Sequence, residues 1–153
     1  RRIGVALTRW VVGRSQSAFT GGLFSLHQNT MEKDRIPFLE LPHELEQGEE
    51  VFCSWVRRHS PDVVISMDTH APTWIKGMGL RMPEDVAFVS YDWVPSMSGI
   101  AGIDQRRSQV AAAAVDLLAV QMSRFERGVP VVPRQVLIPS AWVNGDSVPL
   151  RRR

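Results

Sequence analysis

Residues 83–92, Pro-Glu-Asp-Val-Ala-Phe-Val-Ser-Tyr-Asp, constrain the fold of this chain more than any other stretch. A proline and two acids lead into an apolar run that ends on a carboxylate. An apolar run of this length suits a parallel strand covered on both faces, and the carboxyl end of such a strand faces the crevice where α/β proteins bind ligands. A second run, residues 63–66, leads in the same way to Asp68. A helix-length segment joins the two, so the pair predicts a ligand-facing sheet edge rather than a purely structural sheet.

The rest of the chain extends that pattern. Residues 3–7 read as a buried strand and residues 8–15 as a loop, with Gly13 and Ser15 as turn residues. Residues 17–28 place Phe19, Leu23 and Leu26 on one face of a helix, although Gly21 and Gly22 weaken it. Residues 36–41 read as a strand, and Pro37 pushes it to a sheet edge. Residues 44–59 form an amphipathic pattern with Leu45, Val51, Phe52, Trp55 and Val56 on the apolar face and acids gathered early. A helix over 71–80 and a strand over 87–91 follow.

Strands alternating with helices predict an α/β fold, a parallel sheet flanked by helices on both faces. Residues 93–102 then read as a loop. Residues 105–127 are the longest helical pattern, with Val110, Ala113, Ala114, Leu117, Leu118 and Met122 on one side and Gly128 and Pro130 at its end. Residues 136–138 and 141–143 read as late strand pieces, and residues 144–146 as a turn.

Composition excludes several classes. A length of 153 residues suffices for one domain with a real core. The net charge is only +2, and six arginines, Arg1, Arg2, Arg9 and Arg151 to Arg153, lie at or near the ends, so no concentrated basic face for nucleic acid is evident. One cysteine, Cys53, excludes an intramolecular disulfide and fits a reducing compartment. No apolar run approaches the roughly 18–20 residues of a membrane span. No secretory leader is visible, although the chain opens on Arg1 rather than methionine.

Five motifs, in order, resemble a family: Arg2-Ile3-Gly4-Val5, Asp68-Thr69-His70-Ala71, residues 83–92, Ile103-Asp104-Gln105 and Glu126-Arg127-Gly128-Val129-Pro130. In this order they resemble bacterial transcription regulators of the lactose-repressor (LacI/GalR) type, over nearly the whole chain. The resemblance implies the second lobe of a type I periplasmic-binding-protein-like fold, in which two α/β lobes close on a small molecule. It implies a cytoplasmic homodimer that reaches DNA only through a helix-turn-helix headpiece outside this chain, with most of the first lobe also outside it. Residues 1–104 would be second lobe, 105–132 a helix belonging to the first lobe, and 133–153 the return to the second. The apolar face of that helix would then lack its native partner and pack against another copy or in a different position. Pairing is expected through residues 36–56 and 67–80, where Phe38, Leu39 and Met78 look exposed. The resemblance implies no cofactor, and an effector that is a small molecule, a sugar above all.

The candidate ligand contacts follow from the same alignment. Asp68 matches a ligand-contacting acid in an Asn-Asp-x-x-Ala motif, although Met67 stands where the family has Asn. A carboxylate at a strand end can accept two sugar hydroxyls in charge-assisted bonds. The plainer role for Asp68 is to cap the next helix. Asp92 matches an acid that organises the cleft or hinge. Gln105 matches a crossover residue that reaches the ligand, its plainer role being to start a helix. Trp10 and Trp93 follow strand ends, where flat apolar faces can stack on sugars, or they fill the core. Trp55 and Trp142 fall on core faces and Trp74 is ambiguous. The family's ligand-gripping Arg falls at Ala18 or Phe19, neither of which donates from its side chain; Arg9 or Arg14 are the substitutes within reach.

Catalytic patterns are weak. His27, His43, His59 and His70 show no metal-ligand spacing, and residues 13–17 lack the final glycine of a nucleophile elbow. No glycine-rich phosphate loop follows the first strand, and Cys53 sits in a packing context beside Phe52 and Trp55. Three readings therefore stand: the sensing part of a transcription regulator, a periplasmic sugar-binding protein of a transporter, and a small α/β hydrolase using Asp68 and Asp92 as an acid/base pair.

Overall fold

The structure is a computed structural model that describes residues 2–15, 18–42, 45–128 and 132–149. The expectations that fall on Arg1, Ser17, His43, Glu44, Val129, Pro130 and Arg151 to Arg153, and on the side chains of Phe19 and Leu45, lie outside the described residues.

The chain runs β1 (Ile3–Thr8), α1 (Arg9–Arg14), α2 (Ala18–Gln28), β2 (Leu39–Leu41), α3 (Leu45–His59), β3 (Val63–Ser66), α4 (Ala71–Gly77), β4 (Ala87–Ser90), β5 (Ala101–Asp104), α5 (Arg107–Ser123) and β6 (Ala141–Val143). The strands form one six-stranded sheet in the order β2-β1-β3-β4-β5-β6. All pairs are parallel except β5 with β6. The expected α/β class is therefore observed, and the strand with Pro37 just before it is an edge.

Alternation along the strands sets the packing. Gly4 and Ala6 of β1, Val64 of β3 and Phe88 of β4 are buried on one face. Ala6, Val64 and Phe88 join a core with Phe52, Trp55 and Val56 of α3 and Trp74 and Ile75 of α4. Gly4 is required there, because a Cβ at that position would overlap the Trp55 ring. On the other face Val5, Ile65 and Val89 are only half-buried. Cys53 is buried in α3, and burial together with Glu49 pushes its thiol up, away from nucleophilic behaviour.

Several sequence expectations need correction. Residues 9–14 are helical rather than a loop. Gly13 weakens a helix by only about 1 kcal/mol, and Ser15 terminates it, its Oγ donating to Val12 O at 3.1 Å. Residues 101–104, hidden within a Gly-rich stretch, are β5, which shares only a short ladder with β4. Residues 136–138 form no strand, and Val136 and Leu137 are exposed. Trp142 is half-exposed with its ring N–H on Asn144 Oδ1 at 2.9 Å, so it is not a core residue.

The long helix α5 is ordered but uncovered. It starts at Arg107 because Arg106 takes a left-handed conformation (φ 51°) with its N–H on Asp104 Oδ1 at 2.7 Å. None of its residues is buried, and Val115, Leu118 and Met122 are more than half exposed. Phe38, Leu39 and Met78, expected on an exposed pairing surface, are instead half-buried, and Leu39 and Met78 pack against the chain's own core. No helix among the described residues is long and apolar enough to cross a membrane.

Ser147 closes the weak join between β4 and β5. Its Oγ donates to Phe88 O at 2.7 Å and accepts the Ala101 N–H at 2.9 Å, and its backbone bonds Phe88 N–H and Gly99 O. Replacing Ser147 with Ala strands two buried backbone groups, so we expect a loss of about 1–3 kcal/mol, read as a lower urea midpoint at unchanged slope. A second expectation concerns acid. Asp85 accepts the backbone N–H, Nε–H and Nη2–H of Arg81, each at 2.9 Å, and these bonds lower its pKa to about 2. Its contribution is complete above the ordinary carboxylate value and is lost as pH falls through about 2. Asp85→Asn should therefore lower stability at neutral pH, and its deficit against the wild type should shrink as pH falls toward about 2, which flattens the acid limb of the profile.

Candidate functional site

The carboxyl ends of β3 and β4 are built by one device used twice. Ser66 and Ser90 are register partners in adjacent strands, and both are buried. Ser66 Oγ accepts the N–H of Asp68 at 3.1 Å, and Ser90 Oγ accepts the N–H of Asp92 at 3.3 Å. A serine that bonds the amide two residues on turns the chain sharply out of the strand. The result is two carboxylates side by side over the end of the sheet. The Tyr91 N–H on Ser66 O, at 2.9 Å, ties the two turns together. The repeated Ser-x-Asp spacing was visible in the sequence and is the signal that marks this edge.

A cavity of about 480 Å³ opens over these turns. Asp68 and Asp92 both line it, with Trp10, His70 and Trp74. The Asp68 side chain is 14% exposed; its Oδ1 accepts the His70 N–H at 2.8 Å and lies 3.1 Å from His70 Nδ1. The first residue flanking α4 is His70, which makes no side-chain cap. Asp68 therefore shapes the loop before α4 rather than capping the helix itself. His70 stacks on Trp74, with ring centroids 6.0 Å apart at 24°. Trp74 is 6% exposed and closes one wall of the cavity from inside the core.

Asp92 is occupied differently. Its Oδ2 accepts from Arg107 at the start of α5, while its Oδ1 is buried with no partner among the described residues. Gln105 donates from Nε2 to Tyr91 O at 3.2 Å, which pins the crossover to the end of β4. Gln105 and Arg107 line a second cavity of about 510 Å³, which shares Trp10, Val11 and Met67 with the first.

The two strand-end tryptophans separate cleanly. Trp10 is 61% exposed on α1 and borders both cavities. Trp93 packs against the core cluster and lines neither of them. Its backbone N–H bonds Ile103 O at 2.9 Å, which draws it into the sheet, and its ring N–H is buried without a partner among the described residues. The sequence reading thus brings Asp68, Asp92, Trp10 and Gln105 to one edge and leaves Trp93 behind it. It offered Arg14 only as an alternative to Arg9, left Trp74 ambiguous, and missed Arg107 and His70 as lining residues. Arg14 had a signal, since it lies four residues after Trp10 on one helical face.

No set of three or more potential metal ligands gathers among the described residues. A further cavity, about 420 Å³, is bordered by Pro61, Asp62 and Asp85, before the amino ends of β3 and β4. Its acids serve structure: Asp62 accepts the Arg2 N–H at 2.7 Å, and Asp85 holds Arg81. The strand-end cavities are the better candidate, with paired acids beside exposed aromatic surface.

No family model matches the chain, and no curated protein matches it. Solved structures do. The chain is similar to a LacI family transcriptional regulator from Arthrobacter sp. FB24 (TM-score 0.72, 19% identity, 95% of this chain and 56% of that one). It is similar to a LacI family transcriptional regulator from Enterococcus faecium with bound ribose (TM-score 0.68, 14% identity, 96% and 56%). It is also similar to the transcription regulator CcpA of Lactococcus lactis (TM-score 0.68, 14% identity, 96% and 55%). The chain spans a little over half the length of these structures and shares their fold.

Proposed function

We propose that this chain is the second lobe, with its returning helix, of the effector-sensing part of a LacI-type transcription regulator, and that the effector is a small polyhydroxylated molecule such as a sugar. The observation that carries the reading is the pair of Ser-x-Asp turns, which set Asp68 and Asp92 side by side in a cavity bordered by Trp10 and Trp74. Carboxylates accept hydroxyl hydrogens, and aromatic faces cover the apolar side of a sugar ring. In the Enterococcus faecium regulator of the same fold, the bound molecule is ribose.

On this reading residues 105–132 belong to the first lobe and residues 133–153 return to the second. Two features support it. β6 pairs antiparallel with β5 in the sheet of the second lobe, and α5 has no buried residue within this chain. A first lobe would cover Leu118 and Met122. Ligand binding would bias lobe closure, and closure would set the spacing of DNA-binding headpieces. Homodimerisation rests on the family resemblance, because Phe38, Leu39 and Met78 are used by the chain's own fold.

The ligand reading is tested with the product of the complete reading frame. Calorimetry against pentoses and hexoses should find a binder, and Asp68→Asn should weaken it about 10- to 100-fold, the effect of removing charge-assisted bonds. An affinity unchanged within twofold would refute the role of Asp68. The lobe assignment is tested on the 153-residue chain alone. We expect concentration-dependent self-association in sedimentation velocity through the uncovered helix, abolished by Leu118→Glu with Met122→Glu. A strictly monomeric wild-type chain at high micromolar concentration would contradict it.

A further inference from the structure

The two joined cavities carry opposite charge. The first holds Asp68 and Asp92, whereas no acid lines the second, which holds Arg14 and Arg107. These two cations are not equivalent. Arg107 is committed to Asp92. Arg14 has no carboxylate within ion-pair distance among the described residues; its guanidinium lies over the Trp10 ring, 4.6 Å from the centroid. A contact to the ring through Cζ leaves the guanidinium N–H donors for an oxyanion, and their fork matches phosphate and carboxylate. Arg9, the other candidate on this helix, is engaged elsewhere, with its Nε on Glu40 Oε1 at 2.5 Å.

We infer that the effector carries an anionic group, a phosphate ester or carboxylate, bound by Arg14 in the second cavity while its hydroxyls meet Asp68 in the first. This deepens the sensing reading and rests on it. Trp10, which borders both cavities, would separate the polar ends and cover the carbon skeleton between them. The ligand class is then a sugar phosphate or sugar acid rather than a neutral sugar. Arg14 sets that specificity from a helix, at a place where Ala18 supplies no donor.

The test uses the product of the complete reading frame and matched probes: ribose with ribose 5-phosphate, glucose with glucose 6-phosphate and gluconate, and inorganic phosphate alone. In at least one pair the anionic member should bind about tenfold or more tightly than its neutral parent. Arg14→Gln should reduce that gap to within about twofold, while Arg14→Lys should retain part of it. Thermal melts check that both variants are folded. Neutral members that bind as well as anionic ones, or a gap that survives in Arg14→Gln, would overturn the anion site and leave sugar sensing standing. Inorganic phosphate binding as tightly as the esters would overturn it too, as a response to charge alone. If no sugar binds, neutral or anionic, the sensing reading falls and this inference falls with it.

Discussion

The strand-end geometry depends on two buried hydroxyls. Ser66 and Ser90 occupy paired positions on the α3–α4 side of the sheet, where their other strand neighbours, Ala6, Val64, Phe88 and Gly102, are apolar or glycine. A hydroxyl buried among such residues must find a partner, since leaving it unpaired costs about 1–3 kcal/mol. Each finds the amide two residues ahead. The need of the core for satisfied polar groups thus becomes the turn that exposes an aspartate. Because the strands are parallel and in register, both turns emerge on the same edge. A parallel sheet places the carboxyl ends of neighbouring strands together, and here that shared edge is where both acids stand.

This explains which features could be read from sequence. β3 and β4 were legible because burial leaves them as apolar runs, and Asp68 and Asp92 because an acid after such a run can only emerge at the end. β5 was illegible for the converse reason. Gly102 lies so close to β4 that a Cβ would press on the Ser90 carbonyl, and a strand built on close approach has no side-chain signature. α1 was missed because Gly13 and Ser15 read as turn residues, whereas only Ser15 acts as one. Trp10 and Trp93 are alike in sequence, each following a strand end. Backbone bonding separates them, since the Trp93 N–H extends the ladder toward Ile103 while Trp10 turns outward on a helix.

The apolar surface of α5 is a different kind of fact. Its side chains are not arranged with one buried stripe; Val115, Leu118, Val120 and Met122 are exposed together. Periodicity assigned a face to this helix, but a face needs a partner, and none covers it among the described residues. The opposite face of the sheet is mixed, with Leu7 and Ala87 buried but Val5, Ile65 and Val89 only half-buried. Apolar helices of this length derive most of their stability from packing rather than propensity. A covering partner is the physical counterpart of the lobe proposed for residues 105–132.

Asp92 joins these two halves of the structure. One oxygen meets Arg107 on the first turn of α5; the other is buried at the cavity with no partner among the described residues. On the proposed reading, a ligand hydroxyl that reaches Asp92 acts on the group that holds the crossover helix to the sheet. Gln105 reinforces the link, since the side chain that pins the crossover to Tyr91 O also borders the second cavity. Asp68 has no such connection, because its bonds stay within the loop before α4. On that proposal the two acids, produced by the same turn, would divide the work of a sensor: Asp68 would hold a ligand without touching the crossover, whereas occupation of Asp92 would act on the ion pair to α5. A ligand can shift a conformational equilibrium only through contacts that differ between the two states. Asp92 is the cleft residue whose contacts would differ.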